Sequence, residues 1–249
     1  MKNTREWKLN AKKALRGNYG LAIMGFFAVV LLSTAGGNLS SWLFPGTTPL
    51  QIVLQFAFVF IFSLVASIMT AGSGYLFLNM ARKRECSLND LFYFFKNNPD
   101  RVIIVAIVLA VLEVLSSLPC NLYAFFVPLG KTLVQQTQWY TSYLGLLGLT
   151  LVLQLFLTIP FSQAYYLLAD HPEMTGKEAI IESMRLMKGN TGKYIWMHVT
   201  FIPWLFASLF TLYIALIWIL PYMNMTKIMF YRDLAGELGA ENISEISEI

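Results

Sequence analysis

The amino-acid sequence predicts an all-α fold: a polytopic membrane helical bundle of about six transmembrane helices with both termini cytoplasmic. Three observations carry this reading. The 249-residue chain is 57% hydrophobic and only 13% charged, a balance outside the range of ordinary soluble domains. Several of its apolar runs reach the roughly 20 residues needed to cross a hydrocarbon core. Finally, 17 of its 18 Lys and Arg residues fall in segments that alternating spans would leave on one side. Basic residues near span ends stay in the cytoplasm.

The predicted spans, in order, are Tyr19–Ala35, Leu50–Leu78, Val102–Pro119, Tyr143–Ala169, Tyr194–Leu209 and Leu212–Phe230. Lys2, Arg5, Lys8, Lys12, Lys13 and Arg16 precede the first. Ser33-Thr34-Ala35 resembles a signal-cleavage site. The long basic lead and the spans that follow favour an uncleaved first span. Arg82, Lys83, Arg84, Lys96 and Arg101 separate spans two and three; Lys177, Arg185, Lys188 and Lys193 separate four and five. Only Lys131 falls in an opposite-side loop. The stretch from Tyr194 to Tyr231 is too long for one span and short for two, so a tight turn near Phe210–Tyr213 is expected. Five spans is the alternative, but an odd count would move Lys227 and Arg232 across the membrane, against the charge rule.

Each basic segment reads as a short amphipathic interfacial helix leading into a pair of spans. Thr4–Arg16 places Trp7, Ala11, Ala14 and Leu15 on one side and lysines on the other. A second helix is expected from Ser87, capped with Asp90, with Leu88, Leu91, Phe92 and Phe95 at helical spacing. A third starts at Thr175, with Glu178 completing a capping box and Ala179, Ile180, Met184 and Met187 on its apolar side. Leu15-Arg16-Gly17-Asn18 matches Met187-Lys188-Gly189-Asn190, and Lys96-Asn97-Asn98 stands in the same place before span three. These matches suggest three repeats, each an interfacial helix plus a transmembrane hairpin, about residues 1–80, 81–170 and 171–236. Together they make one membrane domain, 1–236. Residues 237–249 read as an acidic, flexible cytoplasmic tail.

Glu113 is the candidate intramembrane functional site, the one acid inside an apolar span. A carboxylate at that depth costs a few kcal/mol and normally faces the bundle or a wet cavity. A plainer role is open too: Pro119 is only six residues on, which could bring Glu113 to the outer interface. Asp170, His171, Lys188 and Asn190 form the candidate cytoplasmic-face site. Asp170-His171 lacks the further His or Cys that a metal would need, and Asp-His-Pro more naturally ends a helix. His198 stands alone and suits a structural hydrogen bond. Pro160, Pro203 and Pro221 should kink their spans, and Ser63, Ser67 and Ala71 favour close helix packing. Cys86 and Cys120 fall on opposite sides and cannot pair. No nucleophile elbow, zinc motif or paired intramembrane carboxylate occurs, so no catalytic residue, metal or cofactor is expected and the chain does not read as an enzyme.

Tyr165–Lys193 and Trp204–Asp233 carry a family resemblance. Its features are Ala169-Asp170-His171-Pro172, the helix from Glu178-Ala179 through Ser183-Met184 to Met187-Lys188-Gly189, and Pro221-Tyr222 followed by Phe230-Tyr231. With Ala11-Lys12 through Tyr19, these resemble the bacterial membrane family called "domain of unknown function 975". The chain departs from that family's glycine-rich turn between the last two spans, where it has Phe210-Thr211-Leu212-Tyr213. The resemblance implies the architecture and no catalytic residues.

The expected role is a scaffold or accessory protein in the cytoplasmic membrane of a bacterium, contacting membrane lipids and a membrane-protein partner or a second copy. A small transporter or channel using Glu113 is the alternative. Nucleic acid is not an expected partner: the basic excess is a topology signal.

Overall fold

The computed structural model describes residues 3–46 and 48–238, and among these all regular structure is helical. Helix α1 (Thr4–Leu15) leads into α2 (Tyr19–Leu43) and α3 (Pro49–Ala81). A 3-10 turn (Leu88–Phe92) and α4 (Tyr93–Lys96) precede α5 (Pro99–Phe126) and α6 (Leu133–Thr158). A second 3-10 turn (Ile159–Phe161) joins α6 to α7 (Ala164–Asp170), followed by α8 (Gly176–Met187). The chain closes with α9 (Thr191–Val199), α10 (Ile202–Phe210) and α11 (Leu216–Leu234).

Four helical stretches are long and apolar enough to cross a membrane: Tyr19–Leu43, Pro49–Ala81, Pro99–Phe126 and Leu133–Asp170. They contain the first four predicted spans and mostly overrun them. Pro119 lies inside α5 and does not end it, since apolar membrane helices tolerate an interior proline. The last two predicted spans take a different form. The first breaks between α9 and α10, where Pro203 has no N–H to give the Val199 carbonyl and its ring crowds it. Lys8 Nζ donates to the neighbouring Thr200 carbonyl at 3.0 Å. The expected turn after Phe210 is present, with Leu212 (φ 49°) and Tyr213 (φ 66°) both left-handed. These are conformations that glycine adopts without penalty and branched or aromatic residues do not. Pro221 sits within α11 without breaking it.

The two predicted caps form: Ser87–Asp90 and Thr175–Glu178 each make a reciprocal capping box. Asn3 also caps α1, which was not predicted. The segment after Ser87, however, is a 3-10 turn and a single α-turn, so the expected apolar face is reset. Leu91 and Phe94 are buried, while Leu88, Phe92 and Phe95 are exposed. The cause is close packing on α3: a Cβ on Gly72 would lie 2.0 Å from the Leu91 carbonyl oxygen. At the ends of α1 and α8 the matched sequences make the same corner. Arg16 (φ −63°, ψ 119°) with Gly17 (φ 90°), and Lys188 (φ −60°, ψ 119°) with Gly189 (φ 81°), are type II turns. Asn18 and Asn190 each donate a backbone N–H to the carbonyl three residues back, at 2.9 Å. The middle segment differs: there Asn98 (φ 51°) takes the left-handed position just ahead of Pro99.

The core lies at the basic end. Helix α3 spans about 50 Å at 1.5 Å per residue, well beyond a hydrocarbon core of about 30 Å. Its first half is mostly exposed, whereas Ala71–Gly74 and Leu76–Ala81 are buried. Around that second half pack α7, the start of α5, α1 and the end of α11, and α8 packs in turn on α5 and α7. The apolar sides of α1 (Trp7, Ala11, Leu15) and of α8 (Ala179, Met187) are spent on this core. Met184, expected on the apolar side of α8, is exposed, and Ser183 is buried instead. Away from the basic end, α6 packs on α5 and α10 on α11, and the outward faces are apolar: Phe56, Phe125 and Phe210 are 72%, 82% and 92% exposed.

Candidate functional site

Glu113 lies at the middle of α5, about 21 Å along from Pro99 at 1.5 Å per residue, because the helix runs on to Phe126. It lines a groove of about 270 Å³ between the α2–α3 hairpin and α5, with Ser33, Ser63, Ser67, Thr70 and Tyr165. The groove floor is tight: a Cβ on Gly36 would meet Phe62 at 2.5 Å. The four aliphatic hydroxyls are already committed as donors. Ser33 donates to Val29 O at 2.8 Å, Ser63 to Phe60 O at 2.8 Å, Ser67 to Leu64 O at 2.7 Å and Thr70 to Ala66 O at 2.8 Å. With their protons turned into their own helices, these oxygens offer the groove lone pairs. The Glu113 carboxylate is exposed to the groove and makes no hydrogen bond or ion pair among the described residues.

Of the four cytoplasmic-face candidates, only Asp170 enters a cross-chain polar network. Arg82, at the end of α3, clamps Asp170 at the end of α7 through two bonds of 2.6 and 2.8 Å. Tyr231 Oη donates to Asp170 Oδ2 at 2.9 Å. Arg82 also pairs with Glu237, which accepts from Arg232 Nε at 2.7 Å. Arg232 Nη1 reaches back to the Ala81 carbonyl at 2.9 Å. Five side chains thus tie the ends of α3, α7 and α11 together. Burial disfavours the Glu237 charge, but hydrogen bonds from Arg82 and Arg232 outweigh it and hold the carboxyl below the usual range. Burial likewise works against the Arg82 cation, and its two carboxylates more than offset that, so its proton is held more firmly than usual.

His171 ends α7 as its C-cap. Its carbonyl, with those of Pro172 and Met174, accepts from the buried Arg101 guanidinium at 2.6–3.3 Å, and its ring stands 3.5 Å from Glu173. Lys188 and Asn190 belong to the α8–α9 corner, where Asn190 Nδ2 donates to Leu186 O at 3.0 Å. No group of three His, Cys, Asp or Glu among the described residues is placed to hold a metal. His198 Nδ1 bonds its own helix carbonyl, Tyr194 O, at 2.9 Å. Glu237 and Leu238 pack on the body; the rest of the expected tail, 239–249, lies outside the described residues.

Several side chains make contacts that were not read from sequence. Ser183 donates to Pro160 O at 2.8 Å and accepts from Gln163 N at 3.1 Å, satisfying both groups freed where Pro160 interrupts the α6–α7 helix. Trp7 Nε1 donates to Asp233 at 3.0 Å, with its ring edge-on to Phe230 at 5.0 Å. Arg82 and Arg232 had registered only as topology charges. Asp170 and the aromatic pair Phe230-Tyr231 were the sequence signals pointing here.

The family model described as "Protein of unknown function (DUF975)" matches residues 1–237, so the chain belongs to that family. No curated protein and no solved structure matches the chain.

Proposed function

We propose that this member of the family is a non-enzymatic integral membrane protein of the cell envelope, a scaffold that holds a membrane-embedded partner at its side. The observation that carries this reading is the contrast between its hydrogen-bonded base and the apolar side chains exposed along its hairpins. An apolar groove of about 630 Å³ opens between α2 and the Leu88–Phe92 turn, lined by Met24, Phe27, Leu31, Met69 and Phe92, with Ile217 of α11 at its edge. Such a groove suits a lipid chain or an apolar helix. In this reading the chain crosses the cytoplasmic membrane of a bacterium six times, with the basic end inside, as the distribution of Lys and Arg supports. The collar helices then brace the hairpins and present their charged sides to the cytoplasm.

Purification in mild detergent tests the scaffold. A partner retained in stoichiometric yield and released by Met24→Trp, which fills the groove, supports it. A chain that runs alone as a monomer in every mild detergent contradicts it. Thiol labelling in intact cells tests the orientation: Cys86 should stay protected until the membrane is opened, and a cysteine at Lys131 should react at once. Glu113 favours a second reading, a small transporter, which predicts that Glu113→Gln abolishes flux while expression is retained.

A further inference from the structure

We propose that the Glu113 groove is a binding site for a membrane-soluble organic cation, an alkylammonium whose charged head pairs with Glu113 and whose chain lies along α3. This deepens the second reading above by naming the ligand class, and it rests on Glu113 being an intramembrane carboxylate. Three observations point to a cation. First, the polar lining is mostly acceptors: one carboxylate and four aliphatic hydroxyl oxygens whose protons are already given to helix carbonyls, with the Tyr165 hydroxyl beside Ser67 as the donor among them. A ligand that brings several N–H donors completes these acceptors, whereas an anion meets mainly lone pairs and the Glu113 charge. Second, no Lys, Arg or His lines the groove among the described residues, so nothing in the protein already neutralises Glu113.

The third is shape. The groove follows α3 from Val59 to Thr70, about 16 Å at 1.5 Å per residue, with Phe62, Leu64 and Leu109 as apolar walls. A long, narrow, one-sided site of this kind takes a chain with a single polar head. Glu113 is exposed on the open side of the groove, so entry is sideways from lipid. A carboxylate in low dielectric gains far more from one paired cation than it would in water, and that gain is withheld from a neutral molecule of the same length.

The test uses the full chain in lipid nanodiscs and a photoreactive dodecylamine, with photoreactive dodecanol as the neutral control. Labelling by the amine should map to peptides holding residues 59–70 and 106–113 and be displaced by plain dodecylamine. Dodecanol should compete at least about tenfold less well, the scale on which a desolvated charge pair discriminates. Glu113→Gln should lower amine labelling about tenfold or more, while Glu113→Asp retains most of it. Equal competition by amine and alcohol overturns the proposal, as does undiminished labelling of Glu113→Gln. If Glu113→Gln does not purify, the competition on the unaltered protein decides by itself. Flux of the amine into proteoliposomes is read separately. Binding without flux leaves this site standing and removes the transporter, and flux without amine-selective binding removes this site alone.

Discussion

The two ends of this molecule are built on opposite principles. At the basic end, polar groups do the joining: Arg82, Asp170, Tyr231, Arg232 and Glu237 lock three helix ends, and Arg101, Lys8 and Ser183 satisfy backbone carbonyls left by chain breaks. At the far end, helices pair within hairpins and turn apolar side chains outward. Within a bilayer there is no hydrophobic drive to bring such hairpins together, and among the described residues no side-chain ion pair joins them there. The lesson is that the long apolar helices supply the span, and the short collar elements supply the tertiary structure.

Breaking the lock should have the largest effect. Arg82→Met leaves Asp170 and Glu237 facing each other without their shared cation. The expected loss is about 3 kcal/mol, a figure reduced for their partial exposure, read from denaturant unfolding in detergent. Acid should act on the same lock. Glu237 is held below the ordinary carboxyl value of 4.5 in the folded protein. Its contribution is therefore complete above that value and lost as pH falls through the lower folded value. A pH series of unfolding midpoints should show this loss, and Arg82→Met should flatten it.

Gly72→Ala comes next, at about 2 kcal/mol, because the added methyl must push back the backbone of Leu91. Ser183→Ala should cost about 1–2 kcal/mol by orphaning the Pro160 carbonyl and the Gln163 N–H. At the far end the sign reverses. Leu212→Gly should stabilise by about 1 kcal/mol by relieving a left-handed backbone where the side chain is 83% exposed. A destabilised Leu212→Gly would mean that the far turn is held by packing, and would erase the contrast.

Much of the layout was readable from residues one turn apart. The capping boxes at Ser87 and Thr175, the paired Gly17 and Gly189 corners, and the turn after Phe210 all rest on local chemistry, and each formed. What escaped notice depends on distance in the chain. Arg82 meets Asp170 across 88 residues, and nothing near either one announces the other. Ser183 was noticed only as part of the family resemblance and without a role, because its use depends on where Pro160 falls in space. Glu113 was recognised, but its depth was not: Pro119 was weighed as a helix end, and a membrane helix ran straight through it. The acceptor-rich character of its groove came from hydroxyl directions that no spacing rule supplies.

The central claim is a rigid base beneath independent hairpins, and distances between spin labels in nanodiscs test it most directly. One pair would sit at the base, at Arg16 and Lys188, and one at the far end, at Phe125 and Phe210, in a background lacking Cys86 and Cys120. A narrow distribution at the base and a broad one at the far end, both narrowing when a partner or the amine is bound, is the predicted result. A far-end distribution as narrow as the base in lipid alone would contradict it.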